Sequence, residues 1–357
     1  MAGWQHIGSM SKDRSITKHQ LAPGTLRRIV QFARPYRTWI ILFVALILLD
    51  AVLGALTPLV YRQIIDVGIK DKNTALVIEL GGVLAALAVI AAGNSLAQRW
   101  FSSRIGEGLI FDLRTEVFDH VQRQPVAFFS RTQTGSLVTR LNSDVIGAQQ
   151  AFTTTLYNVV GNIATLVATL VAMLFLSWQI TLLALILLPL FLLPARKLGP
   201  KLSAITRERY QVDAAMGQTM TERFNVSGAL LVKLFGRPED ESRTFAERAG
   251  RVRDIGITTS MYSRIVLTGL TLVAGLATAL VYGLGGVLVV NGGLAIGTLV
   301  ALTAYLNRLY GPLTSLSNVQ VDVMTTLVSF ERVFEVLDLT PGIVDEPDAT
   351  PLPAGAT

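Results

Sequence analysis

Four stretches of this chain contain almost no ionisable residues, and they constrain the fold more than any other feature of the sequence. Residues 145–195 and 265–307 have no Lys, Arg, Asp or Glu over 51 and 43 positions, and residues 80–98 have none either. Residues 38–61 have a single one, Asp50. About 20 apolar residues cross the hydrocarbon layer of a bilayer as a helix, so each shorter stretch holds one crossing. Each longer stretch is divided by a turn signal and holds two. The predicted spans are residues 39–61, 77–98, 156–176, 180–195, 265–284 and 294–310.

The composition agrees with a protein embedded in lipid. Hydrophobic residues make up 51% and charged residues 16% of the chain, whereas soluble domains carry about 25% charged residues. This excludes a soluble or disordered protein. The net charge of +6 could suggest nucleic acid, but the basic residues are spread over loops and mixed with acids, without interleaved aromatic residues. We therefore expect the lipid bilayer, and no nucleic acid, as a partner.

Lys and Arg are distributed unequally between the two sides of the predicted membrane domain. With six spans, 28 of the 31 fall on one side, and only Arg62, Lys70 and Lys72 fall on the other. The positive-inside rule then predicts a multi-pass protein of the cell (inner or plasma) membrane with both termini cytoplasmic. This count assigns Arg308 and Arg332, which follow the charge-free part of the last span, to the cytoplasmic side.

The segments between the spans are predicted to be helical as well. Residues 24–37 place apolar and basic side chains on opposite faces, which is typical of an amphipathic helix in the headgroup layer; a short solvated helix is the alternative. The connections 99–155 and 196–264 are too long for structureless loops, and their pattern predicts stalks that extend the spans by about 40 Å. Residues 1–23 are expected to be disordered. The predicted fold class is therefore an all-α membrane protein.

Two breaks interrupt the stalks, at residues 124–135 and 235–238. Both contain Pro and Gly, which end helices. A turn at the tip of two long helices is well placed to contact another protein, although an ordinary helix–helix turn fits the same pattern.

Four separated motifs carry a family resemblance. Residues 128–144 begin with two Phe, pass through Thr-Gly and end with Arg-Leu and Asp, and residues 232–245 contain Phe-Gly-Arg followed by acids. Residues 331–338 have the sequence ERVFEVLD, and residues 64–66 have IID after the first span. Together these motifs resemble the transmembrane domain of ATP-binding-cassette (ABC) exporters, the type with six spans and long intracellular stalks. The resemblance covers about residues 24–350.

The chain also departs from that family's pattern. Ser130 and Ser136 stand where acids are common, and Pro238 stands where Glu is frequent, so charges are removed from the implied contact surface. The phosphate-cradling Gly-x-x-x-x-Gly-Lys-Ser/Thr loop of the family's ATPase does not occur in the sequence. The resemblance therefore implies that no cofactor is bound by this chain, and that ATP and Mg are held by a nucleotide-binding domain in the same or a separate polypeptide.

The resemblance implies a domain order and a function. The implied domains are an elbow helix at 24–37, a six-helix transmembrane domain at 38–338 and a linker toward the ATPase at 339–357. The implied function is the permease part of an ATP-driven exporter that moves amphipathic, drug-like or lipid-like substrate outward by alternating access, together with a second copy or a homologous half-transporter. The residues expected to couple the chain to the ATPase are Thr134, Gly135, Ser136, Leu137, Phe235, Gly236, Arg237 and Glu239.

Few residues are candidates for chemistry. With three His, no Cys and no clustered carboxylates, we expect neither a catalytic residue nor a metal site in this chain, and ATP hydrolysis would occur on the accompanying ATPase. Asp50 lies inside a span and could contact a cationic substrate or a proton, or could pair with a polar group of a neighbouring helix. The candidate substrate-pathway residues are Asp50, Asn94, Asn158, Tyr305 and Tyr310.

Two other functions compete with the exporter. An ion-coupled secondary transporter or channel could use Asp50, but such proteins usually have broken spans and several intramembrane charges. A structural membrane scaffold would leave the breaks at the stalk tips without a role. The long stalks favour the exporter.

Overall fold

The structure, a computed structural model, describes residues 24–131, 138, 140–186, 188–340 and 342. All the secondary-structure elements of these described residues are helices, which confirms the predicted all-α fold. The α-helices are α1 (Thr25–Phe32), α2 (Arg37–Gln63), α3 (Thr74–Gln122), α4 (Val126–Arg131), α5 (Val145–Gln149), α6 (Leu156–Leu176), α7 (Trp178–Ile186), α8 (Leu188–Arg223), α9 (Val226–Phe235), α10 (Pro238–Val290) and α11 (Ile296–Leu337).

Four helical segments are long and apolar enough to cross a membrane: Arg34–Ile69, Thr74–Gln122, Asn142–Leu176 and Pro238–Val290. They contain the first, second, third and fifth predicted spans. The fourth predicted span is divided between α7 and α8 around residue 187, which lies outside the described residues, and the sixth lies in α11.

Several helices extend far beyond what a membrane crossing needs. Helix α3 has 49 residues and α10 has 53, so at 1.5 Å per residue they reach about 75–80 Å. Asn73 caps the start of α3, because its side-chain oxygen accepts a hydrogen bond from the amide of Leu76 at 3.1 Å. No Pro interrupts α3, and the helix therefore continues from the span into the stalk.

The chain forms two compact units, residues 1–172 with 308–357, and residues 173–307. The core of the first unit follows one face of α3. Ile105, Leu109, Leu113 and Val117 recur every four residues, and all four are buried. Leu113 and Val117 pack with residues of α1, α5 and α11, whereas Ile105 and Leu109 pack with α2.

The first unit also joins α1 to the end of α11. Arg28 donates two hydrogen bonds to the carboxylate of Asp338, at 2.6 and 2.8 Å, and its guanidinium lies 4.4 Å from the centre of the Phe334 ring. The hydrogen bond to Asp338 raises the pKa of Arg28 above its ordinary value. Beside this pair, His120 in the last turn of α3 and Gln124, two residues beyond the helix, both donate to the carbonyl of Leu339.

In the second unit, α8 and α10 form an antiparallel pair. Arg223 at the end of α8 pairs with Glu241 in the first turn of α10 at 2.9 Å, and further along Glu208 accepts from Arg251 Nε at 2.8 Å. Between these pairs, Arg248 donates to the hydroxyl of Thr219. Three polar cross-links along the pair hold the register of the two helices, which we call the α8–α10 stalk.

Candidate functional sites

Helix α9 forms the tip of the α8–α10 stalk. It begins at Asn225, whose side-chain oxygen accepts from the amide of Gly228 at 2.7 Å. The amide group of the same side chain donates to the carbonyl of Thr221 at 3.0 Å, in the last turn of α8. One Asn thus caps α9 and ties it to the helix before it.

Gly228 has a steric role that the sequence analysis missed. A Cβ at this position would overlap the carbonyl oxygen of Glu222, a backbone atom that cannot rotate away. Only Gly therefore permits the close approach of α9 to the end of α8. The sequence does show a Gly three residues after Asn225, but a single Gly within a helical pattern is usually interpreted as a tolerated, slightly destabilising residue.

The predicted coupling residues Phe235, Gly236, Arg237 and Glu239 lie where α9 ends and α10 begins. Gly236 donates its amide to the carbonyl of Val232 at 3.0 Å, and both Gly236 and Arg237 are extended. Glu239 lies with two further acids in the first turn of α10, where the helix dipole favours negative charge.

Pro238, which departs from the family pattern, occupies a position that suits it. It is the first residue of α10, where its restricted φ favours the helix and its missing N–H is not needed. The substitution that removes a charge from the tip therefore also gives α10 a sharp start.

The tip presents apolar side chains to its surroundings. Val226 is 88% exposed and Phe235 is 85% exposed. An exposed apolar surface of this kind, in a part of the chain where the rest of the stalk is charged, is typical of interaction sites. Its exposed apolar residues, which we call the tip surface, are Phe224, Val226, Leu230, Leu231, Leu234 and Phe235.

The first break is described only in part. The predicted coupling residues Thr134, Gly135, Ser136 and Leu137 lie outside the described residues. In α4, which precedes them, Phe128 is buried while Phe129 is half exposed, and the two rings meet edge to face with centroids 5.3 Å apart.

Of the five candidate substrate-pathway residues, Asp50 lines a cavity, together with residues of α2, α3 and α11. The cavity has a volume of about 340 Å³. Its polar lining consists of Asp50, Thr57, Tyr61 and Arg308. Its remaining wall is apolar or small and consists of Leu53, Gly54, Leu84, Leu87, Ala88 and Ala91.

The position of Arg308 corrects the charge count of the sequence analysis, which placed this residue on the cytoplasmic side. Its guanidinium lies over Gly54, so closely that a methyl group on Gly54 would overlap it. Gly54 belongs to the membrane-crossing segment Arg34–Ile69. Helix α11 begins at Ile296, so Arg308 is about 18 Å along the helix, within the thickness of a bilayer. The predicted span 294–310 already contained Arg308, and the count nevertheless assigned this residue to the cytoplasmic side.

The other four candidates do not line this cavity. Asn94 is buried and donates to the carbonyl of Leu46 at 3.2 Å, and Gln98 donates to the same carbonyl at 3.0 Å. Both amides therefore join α3 to α2. Tyr305 is fully buried on α11, and Asn158 and Tyr310 are half-buried.

Comparisons with known proteins agree with this architecture. A family model described as "ABC transporter transmembrane region" matches residues 39–313. The chain is 26% identical over 332 residues to a putative multidrug export ATP-binding/permease protein of Bacillus subtilis, covering 91% of this chain and 57% of the relative. It is 25% identical over 328 residues to an ATP-dependent lipid A-core flippase of Syntrophus aciditrophicus, covering 92% and 54%. A flippase of the same name from Desulfotalea psychrophila is 27% identical over 330 residues, covering 92% and 57%. The chain spans about half the length of these curated relatives.

Proposed function

Since the chain belongs to the ABC transporter transmembrane-region family, we propose that it is the permease part of an ATP-driven exporter. It moves amphipathic, drug-like or lipid-like substrate out of the cytoplasm or the inner leaflet by alternating access. The observation that supports this most directly is the exposed tip surface at the end of a cross-linked stalk. An exporter permease needs such a surface, because the energy of ATP must enter it through a mechanical contact.

The α8–α10 stalk would act as a lever. Its two helices have 36 and 53 residues, so they can carry a displacement over about 50 Å or more. The ion pairs Arg223–Glu241 and Arg251–Glu208 resist sliding of one helix along the other. A displacement at the tip is therefore transmitted as a rigid-body rotation rather than lost in bending.

The proposed partners follow from this mechanism. An ATPase domain, in the same or a separate polypeptide, holds ATP and Mg and docks on the tip surface and on residues Thr134–Leu137. A second copy or a homologous half-transporter completes the pathway. Both termini face the cytoplasm, in agreement with the basic excess on that side. The names of the relatives, which include "ATP-binding/permease" and "flippase", support an ATPase and an amphiphilic cargo.

Family membership favours the exporter over an ion-coupled secondary transporter or channel that uses Asp50. The surroundings of Asp50 agree with this, because Arg308 lines the same cavity. A cationic neighbour disfavours a free metal cation at this carboxylate.

The test is transport into inside-out membrane vesicles that contain the intact transporter, with a fluorescent amphiphile as the probe. We expect uptake that requires ATP and Mg, and we expect Phe235→Asp to reduce it at least about tenfold, because a charge at the centre of an apolar contact costs several kcal/mol. The matched control is Tyr210→Asp, since Tyr210 is an exposed aromatic residue on α8 that lies away from the tip. Uptake that continues without ATP would contradict the proposed function.

A further inference from the structure

The cavity described above brings two opposite charges together inside the membrane domain. Asp50 and Gly54 are one turn apart on α2, which places the guanidinium of Arg308, above Gly54, about 6 Å along the helix from Asp50. Both charged side chains line the same cavity of about 340 Å³. They are half-buried, so neither is fully solvated.

Within the described residues, these two charges are paired neither with each other nor with a neighbour. Among the residues that the structure describes, neither Asp50 nor Arg308 makes a hydrogen bond or an ion pair, although ion pairs are present elsewhere in the molecule. Unpaired charges are expensive at membrane depth, and where they occur they usually face a pathway. Two opposite charges that lie close together without pairing leave room for a group between them.

The rest of the cavity suits an amphiphile. Thr57 and Tyr61 supply hydroxyl groups about two and three turns beyond Asp50, whereas α3 contributes only leucine and alanine side chains. The cavity therefore has a polar side on α2 and α11 and an apolar side on α3. A headgroup can lie against the first while a hydrocarbon chain lies against the second.

We propose that this cavity binds the zwitterionic headgroup of an amphiphile, with its anionic group on Arg308 and its cationic group on Asp50. A purely anionic ligand would leave Asp50 unpaired, and a purely cationic ligand would leave Arg308 unpaired, so each would bury an uncompensated charge. A headgroup that carries a negative and a positive group close together, such as a phosphate two carbons from an ammonium, satisfies both residues. The inference rests on the proposed function in that the bound amphiphile is a transported substrate.

The test is equilibrium binding to the intact membrane protein, purified in a non-ionic detergent without nucleotide. Three unlabelled lipids with the same two oleoyl chains compete with an acyl-labelled phosphatidylethanolamine for the protein. One has a phosphoethanolamine headgroup, one a phosphoglycerol headgroup and one a trimethylammonium headgroup. We expect the zwitterionic lipid to bind at least about tenfold more tightly than either of the others, because it makes both charge-assisted contacts. Soluble glycerophosphoethanolamine serves as a fourth competitor.

Two charge variants separate the two contacts. Arg308→Gln removes the anion contact and is expected to abolish the preference over the trimethylammonium lipid. Asp50→Asn is expected to abolish the preference over the phosphoglycerol lipid. The matched control is Arg62→Gln, since Arg62 lies on α2, pairs with Asp66 and does not line the cavity.

A third variant changes the cavity without changing its charge. Gly54→Ala displaces the guanidinium of Arg308, while Ala is more favourable than Gly within a helix. We expect a weaker preference for the zwitterionic lipid in a protein that remains folded.

The proposal is overturned if the wild type binds the three lipids equally, or if Arg308→Gln and Asp50→Asn weaken all three by the same factor. Displacement by the soluble headgroup at concentrations similar to those of the lipid would overturn the assignment to an amphiphile. Because no step in this assay uses ATP, the proposal can fail while ATP-driven transport in vesicles persists. The reverse outcome, binding without transport, would contradict only the proposed function.

Discussion

In the described part of the chain, charged side chains form ion pairs in the α8–α10 stalk, whereas those in the cavity lined by Asp50 and Arg308 do not. In the stalk, Arg251 pairs with Glu208 where both side chains are about half exposed. In the cavity, within the part of the chain that the structure describes, Asp50 and Arg308 have no partner. Charge pairing is worth little in water and much in a bilayer, so stability alone would produce the reverse arrangement. The stalk pairs are therefore best explained by helix register, and the cavity charges by a ligand.

The proposed lever requires that the tip of the stalk is held firmly, and Gly228 is the residue that tests this. Gly228→Ala forces α9 away from the carbonyl of Glu222, so the tip surface moves relative to the stalk. We expect ATP-dependent transport in vesicles to fall at least about tenfold, since small misplacements of a contact carry large costs.

The control for this variant is Gly217→Ala on α8. Nothing lies within 4 Å of a Cβ at Gly217, so this change should leave transport intact and stabilise the helix by up to about 1 kcal/mol. Equal loss in both variants would show that helix flexibility, rather than the position of α9, is what the glycines provide.

Much of this architecture could be predicted from the sequence, because hydrophobic periodicity and charge-free runs depend on local composition. The buried stripe from Ile105 to Val117 and the boundaries of α2 are of this kind. The contact of Arg308 with Gly54 could not be predicted, because it depends on how α11 packs against α2. The role of Gly228 depends on a contact between two helices, which a linear pattern does not contain.

Removing the charge of Asp50 from the cavity should stabilise the protein rather than destabilise it. Most substitutions at partly buried sites destabilise a protein, but Asp50→Asn removes a charge that has no partner among the described residues. We expect the ligand-free protein to be stabilised by about 1 kcal/mol or more, measured as a higher Tm in detergent. The same variant should lose the stabilisation that added phosphatidylethanolamine gives the wild type. A large loss of stability in the ligand-free protein would indicate that Asp50 has a structural partner.

A smaller effect is expected in the stalk, from the pair Arg251–Glu208. In a double-mutant cycle with Arg251→Ala and Glu208→Ala, the coupling energy should be about 0.2–1 kcal/mol, because both side chains are partly exposed. About 1 M salt should reduce this value further. A coupling well above this range would mean that the stalk is held together by electrostatics, and the contrast with the cavity would disappear.

The smallest effect concerns Arg28, which joins α1 to Asp338 at the end of α11. The hydrogen bond to Asp338 raises the pKa of Arg28 in the folded protein, so its contribution to stability is fully present below the unfolded pKa and is lost only as the pH rises through the folded value. The ordinary pKa of an arginine already lies far above the physiological range. Between about pH 7 and pH 9, the difference in Tm between the wild type and Arg28→Gln should therefore be constant. A difference that changes across this interval would show that another titrating group, and not the Arg28 guanidinium, controls the contact between α1 and α11.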